Sequence, residues 1–138
     1  MADTEYNSEE LIELVAEFAE IPGHLSEDDD RWVVPRLSAA DYDRTGLTRG
    51  RTWWDPRIDN GDAMQLAVRL GIDTYTAHIS LSGKRTVSAG KVDGPGLGVE
   101  CLSKSTGDNL AAMRRAIFGT AVKMAQEAGW NTVMSHRS

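Results

Sequence analysis

The sequence predicts an α+β fold: one antiparallel sheet of three to four strands with helices packed on it, in an α-β-α sandwich-like arrangement. Apolar residues recur with the period of an α-helix in three segments, and they alternate with the period of a strand over residues 74–81. The chain has 138 residues, of which 41% are hydrophobic. These values suit one globular domain that spans residues 1–138.

The first helix is predicted to begin after Asn7 or Ser8, either of which can cap it, and to end at Pro22 and Gly23. Residues 24–52 have a mixed pattern, which predicts a long irregular segment with at most one short strand over residues 32–34. Residues 53–56 are predicted to be extended, because a residue before proline avoids the helical region.

The second helix is predicted to be capped by Asp59 or Asn60 and to end before Gly71, with Ala63, Met64, Ala67 and Leu70 as its apolar face. Strands are expected over residues 74–81, 85–89 and 99–103. The last helix starts at residues 106–108 and ends at Gly129, and its apolar stripe runs from residue 110 to residue 128. Residues 131–138 are expected to fray.

Composition argues against several classes of protein. The net charge of −6 is unfavourable for general nucleic-acid binding, which needs a basic surface. Cys101 is the single cysteine and the three histidines are far apart, so we expect no disulfide, no metal site and no cofactor. The sequence has no secretory signal and no apolar run near the ~18 residues of a membrane span, so we expect no membrane partner and a cytoplasmic location.

Three segments resemble a known family. Residues 13–17 are similar to the opening helix, residues 54–64 to the aromatic-x-Pro-Ser-x-Asp-x-x-x-Ala element, and residues 105–125 to the closing Ala-rich helix of the phage α-β-α sandwich domain family. Arg57 stands where that family often has serine. These motifs are helix caps and core faces. The resemblance therefore implies a fold, a phage origin and the host-cell cytoplasm, and it transfers no catalytic residue.

One candidate ligand site lies at residues 103–108, between a predicted strand and the last helix. Backbone N–H groups at the start of a helix form a natural anion site, to which Lys104, Ser105 and Thr106 would contribute. Arg114 would add charge if it faced the same side. The spacing is not that of a Walker motif, and a helix cap with a polar loop is the structural alternative.

A second candidate is the tryptophan pair Trp53 and Trp54. Adjacent residues of an extended segment point to opposite faces, so one ring can enter the core while the other is exposed. An exposed ring near Arg51 or Arg57 could stack on a base or anchor a partner. Coverage of both rings by the preceding long segment is the alternative.

Our first functional hypothesis is a non-enzymatic phage accessory protein, a homo-oligomer that sequesters a nucleotide-like immune signal of the host. The base would stack on Trp53 or Trp54, and phosphate would be held by a set of polar and basic residues: Arg51, Arg57, Lys104, Ser105, Thr106 and Arg114.

Two alternatives remain open. One is an acidic inhibitor that presents residues 27–30 to a basic host defence protein, such as a nuclease or a regulator. The other is a hydrolase of a small nucleotide, with His78 or Cys101 as the catalytic residue.

Overall fold

The computed structural model describes residues 9–26, 31–79, 85–90, 98–102 and 108–130. These residues form four helices and six strands. In chain order the elements are α1 (Glu9–Phe18), β1 (His24–Leu25), β2 (Trp32–Val33), α2 (Ala39–Thr45), β3 (Trp53–Trp54), α3 (Asn60–Leu70), β4 (Asp73–Ile79), β5 (Arg85–Gly90), β6 (Gly98–Leu102) and α4 (Asn109–Glu127).

The main sheet is antiparallel and has the order β4-β5-β6. Asp73 lies opposite Gly90, and Thr86 lies opposite Leu102. The three predicted strands are thus confirmed to within a residue or two, apart from residues 80, 81 and 103, which lie outside the described part of the chain. Helix α4 packs against β5 and β6, so the predicted α+β class with helices on an antiparallel sheet is confirmed.

Helix α4 lies at the centre of the fold, because it contacts the main sheet and also α1 and α3. Its buried residues therefore surround more of the helix than one stripe: Ala112, Ala116, Ile117, Phe118, Gly119, Thr120, Ala121, Val122 and Ala125. The stripe predicted to begin at residue 110 was too narrow and began on the wrong face, since Leu110 is 61% exposed. Small alanine side chains allow close approach from both sides.

Helix α3 confirms three of its four predicted apolar positions, because Ala63 and Ala67 are buried and Leu70 packs against the core. Met64 is 57% exposed, whereas Leu66 is fully buried beside Ala63 and Ala67. Asp62 is also buried. The prediction included Met64 instead of Leu66, because the charged Asp62 on the inner face obscures the helical pattern of apolar residues.

The ends of α3 and α4 confirm the predicted glycine stops. Gly71 has φ 70° and Gly129 has φ 94°, the left-handed conformation that glycine adopts without strain. After Gly71, the N–H of Ile72 donates to the carbonyl of Ala67 at 2.8 Å. After Gly129, the N–H of Trp130 donates in the same way to the carbonyl of Ala125 at 2.9 Å, so both helices end in a Schellman motif.

Helix α1 ends in the same motif but earlier than predicted, before Pro22. Glu20 takes the left-handed position with φ 60°, and Ile21 N–H donates to the Ala16 carbonyl at 2.8 Å. Arg69 of α3 supports this end, because its Nε donates to the Ala19 carbonyl at 3.0 Å. Contacts from another helix thus end α1 at a residue that is not glycine.

The segment 24–52, predicted to be irregular, contains two short strands and α2. Ser38 caps α2 by accepting a hydrogen bond from the Asp41 N–H at 3.2 Å, and Gly46 ends it with φ 76°. The strands join β3 in a small antiparallel sheet, of order β1-β2-β3, in which Trp32 lies opposite Trp54. This sheet was not predicted, because two-residue strands are too short to show a period.

Within the described ranges, no helix combines the length and apolar character needed to cross a membrane. The tail over residues 131–138, predicted to fray, lies outside them. A single hydrophobic cluster includes Ile12 of α1, Trp54 of β3, Leu66 of α3 and Phe118 of α4. This cluster fixes the small sheet and α3 next to each other, and the candidate site residues lie around that junction.

Candidate functional site

Trp54 is a core residue. Its side chain is fully buried, and its Nε1 donates to Gln65 Oε1 at 2.8 Å. Gln65 in turn donates through Nε2 to the Thr45 carbonyl at 2.6 Å. The indole therefore connects β3 to α3 and α2, and its burial rules out the predicted role of Trp54 as a surface on which a base stacks.

Trp53 points the other way and is half-buried, as the alternation of a strand requires. The Arg51 Cζ lies 4.0 Å from the centroid of its ring, and the Arg31 Cζ lies 5.1 Å from it. The structure thus brings Trp53 and Arg51 together, as predicted for the exposed tryptophan. Guanidinium groups occupy positions over this ring where a base would have to stack.

Arg57 forms a buried ion pair with Asp55. Its Nε donates to Asp55 Oδ1 and its Nη2 to Asp55 Oδ2, both at 2.8 Å, and the two side chains are 15% and 6% exposed. The backbone N–H of Arg57 also donates to Asp55 Oδ1 at 2.9 Å. This bidentate pair satisfies the guanidinium within the fold, so the predicted phosphate-binding role of Arg57 is not supported.

Arg114 is also engaged within the fold. It projects from α4, and its Nε donates to the Arg57 carbonyl at 3.0 Å while its Nη1 donates to Asn60 Oδ1 at 2.6 Å. These bonds fasten α4 to the start of α3. Arg51, Arg57 and Arg114 therefore lie around the start of α3, whereas the predicted anion site was the start of the last helix, and two of the three hold the fold together.

Arg51 is held by two aspartates of α3's first turn and cap. Its Nη2 donates to Asp62 Oδ2 at 2.9 Å, and its Nη1 lies 3.6 Å from Asp59 Oδ2. Asp59 caps α3 by accepting from the Asp62 N–H at 2.8 Å, which confirms its predicted role. Burial raises the pKa of Asp62, as does the Asp59 charge, although the Asp55 N–H and Arg51 lower it.

Arg51 also lines a cleft of about 470 Å³ beside α2. We call it the arginine cleft, and its lining residues are Val34, Arg36, Leu37, Tyr42, Arg49, Gly50, Arg51 and Thr52. Among these eight described lining residues, three are arginines and none is acidic. Because Asp59 and Asp62 neutralise Arg51, the local excess of positive charge comes from Arg36 and Arg49. In a chain with a net charge of −6, this excess favours an anionic ligand.

Two arginines of the cleft have no acidic partner. Arg36 and Arg49 are exposed, and in the described ranges neither lies within ion-pair distance of a carboxylate. The Arg49 Cζ lies 5.4 Å from the centroid of the Tyr42 ring, and the Tyr42 hydroxyl accepts from the Leu37 N–H at 3.4 Å. A guanidinium group without a carboxylate partner can bind phosphate, and an aromatic ring held in position beside it can stack on a base.

The sequence offered one signal for this cleft that our prediction missed. Arg36, Arg49 and Arg51 flank the segment from Ser38 to Gly46, which has the cap and stop residues of a short helix. Recognition of α2 would have placed these arginines at the two ends of one short helix, about 10 Å apart.

The remaining predicted residues give a mixed outcome. Lys104, Ser105 and Thr106 lie outside the described residues, as does the acidic run 27–30, so these predictions are untested. Cys101 is half-buried in β6 and packs against the core, as predicted for a small hydrophobe. In the part of the chain that the structure describes, no group of three acidic, histidine or cysteine residues could hold a metal ion.

Comparison with known proteins adds no relative. No family model, curated protein or solved structure matches this chain. The resemblance to the phage sandwich family therefore stays a prediction, and the geometry of the arginine cleft is the main evidence on function.

Proposed function

We propose that this protein binds a small nucleotide-like ligand in the arginine cleft and sequesters it unchanged. The observation that carries this proposal is that Arg36 and Arg49 line the cleft without a carboxylate partner among the described residues, and that Arg49 lies beside the Tyr42 ring. None of the described lining residues is acidic. A phage origin, for which the resemblance is the basis, would make the ligand an immune signal of the host.

The chemistry of the lining suits a ligand that has both phosphate and an aromatic base. A guanidinium group binds phosphate through two parallel N–H donors, and Arg36 and Arg49 have this capacity free of carboxylates. Stacking of a base on an aromatic side chain contributes about 1–3 kcal/mol. Because Arg49 is exposed, its guanidinium can leave the Tyr42 ring for a phosphate and so open that ring to a base.

The size of the cleft agrees with a small molecule. Its volume of about 470 Å³ falls within the range of about 300–1,000 Å³ that small-molecule sites occupy. Cys101, one of the two residues of the hydrolase alternative, is not among the described residues that line the cleft. The lining supplies cations, an aromatic ring and the Thr52 hydroxyl, and these groups favour retention of a ligand over its hydrolysis.

Native mass spectrometry tests this function. The protein is incubated with a nucleotide-rich cell extract and then separated from it. Its mass is compared with the mass of protein that was not exposed to the extract. We expect a stoichiometric adduct whose released ligand has the same mass as the molecule in the extract. A hydrolysed ligand would favour the nucleotide hydrolase, and a protein without any adduct would favour the acidic inhibitor.

A further inference from the structure

We infer that Asp62 is a positioning residue: it holds Arg51 at the edge of the arginine cleft and takes up a proton when an anionic ligand occupies that cleft. This inference rests on the proposed function. It concerns a buried carboxyl group that is not among the described lining residues of the cleft but forms an ion pair with Arg51, which is one of them.

The contacts of Arg51 show how Asp62 is linked to the arginine cleft. Its guanidinium lies between Asp62 at 2.9 Å, Asp59 at 3.6 Å and the Trp53 ring, whose centroid is 4.0 Å away. Its Nε is buried and has no hydrogen-bond partner. Arg51 is also a lining residue of the cleft, so a ligand phosphate that reaches its guanidinium would compete with two aspartates for one cation.

Few groups face the Asp62 carboxylate. They are Arg51 from the segment before β3, Asp59 from the cap of α3, and the backbone N–H of Asp55, which donates at 2.9 Å. The Asp62 side chain is only 8% exposed, so water does little to screen it. An anion near Arg51 takes over part of the positive charge, while the like charge of Asp59 remains.

A bound anion therefore shifts the protonation equilibrium of Asp62 toward the neutral acid. Burial already raises the pKa of Asp62, and a bound anion raises it further. Between the pKa of the free protein and that of the complex, each ligand binds together with a proton. Affinity should therefore increase as the pH falls through the pKa of the complex.

Calorimetry with a cyclic dinucleotide tests this coupling, because its phosphodiesters stay ionised over the pH range used. The wild-type protein is titrated at about pH 5 and about pH 7.5, in two buffers with different protonation enthalpies. We expect the heat to depend on the buffer at the lower pH, with uptake of up to about one proton per ligand, and affinity to change by at most about tenfold per pH unit.

Two variants identify the residue that takes up the proton. Asp62→Asn should abolish the uptake. Asp59→Asn should retain it, because asparagine also caps a helix and keeps α3 in place. If Asp62→Asn does not fold, the buffer dependence of the wild-type protein still decides between uptake and no uptake.

The outcomes separate this inference from the proposed function. Binding heat that is independent of buffer and pH would overturn the role of Asp62 and leave nucleotide binding intact, as would proton uptake that persists in Asp62→Asn. No binding heat at either pH would overturn the inference and would also count against the proposed function.

Discussion

The buried pair of Asp55 and Arg57 provides a direct test of why Arg57 is unsuited to bind a ligand. In Asp55→Asn the side chain keeps one oxygen, but its amide group would face the Arg57 Nη2 donor. Loss of one partner from a buried ion pair costs about 3–5 kcal/mol. We expect Asp55→Asn to lower the free energy of unfolding by about 3 kcal/mol, the lower end of this range, because the retained oxygen can still accept from the Arg57 Nε and backbone N–H.

Urea unfolding followed by tryptophan fluorescence measures this cost. With an m value of about 1–3 kcal/mol/M, the unfolding midpoint should fall by about 1–3 M. Asp41→Asn is the matched control, because its pair with Arg44 has side chains that are 46% and 49% exposed. Such an exposed pair contributes only about 0–1 kcal/mol. A loss below about 1 kcal/mol in Asp55→Asn would refute the structural role of the pair and free Arg57 for a ligand.

Three further predictions concern stability. Glu20→Gly should be more stable than Glu20→Ala by about 1 kcal/mol in thermal unfolding, because only glycine relieves the left-handed strain, and equal stabilities would contradict this. Because the pKa of Asp62 is raised in the folded protein, this group stabilises the fold at pH values below 3.8, the ordinary pKa of an aspartate. This contribution is lost as the pH rises through the pKa of the folded state. The stability of the wild-type protein relative to Asp62→Asn should therefore fall as the pH rises from about 4 to about 7, whereas a constant difference would count against the burial of the charge. Trp54→Phe should lower the free energy of unfolding by about 2 kcal/mol, because Gln65 Oε1 loses the Trp54 Nε1 donor. Trp53→Phe should lower it by less than about 1 kcal/mol, because that ring is only half-buried. Equal costs in urea unfolding would show that Trp54 is not the inner ring.

The parts of the fold that were predicted correctly depend on local signals. Gly71 and Gly129 marked the ends of two helices, and alternation marked β4, the first strand of the main sheet. The errors arose where distant contacts decide. Arg69 supports the end of α1 from a helix about fifty residues away, and the sheet and α1 cover α4 from two sides.

The same reason explains the partial prediction of the site. Among the predicted residues that the structure describes, Arg51 alone lines the arginine cleft. Arg57 and Arg114 are basic and close by, as expected, but Asp55 and the Arg57 carbonyl engage them. A sequence shows that an arginine is present, but it does not show whether a carboxylate of the fold already neutralises it.

The measurement that most directly tests the central claim is the dissociation constant of the ligand recovered from the extract. Calorimetry compares the wild-type protein with the double variant Arg36→Ala and Arg49→Ala, and with Arg44→Ala as an arginine outside the arginine cleft. Two charge-assisted hydrogen bonds of about 1.5 kcal/mol each predict a loss of affinity of about 100-fold in the double variant, and Arg44→Ala should bind like the wild type. An unchanged dissociation constant in the double variant would contradict the account and place the ligand elsewhere on the protein.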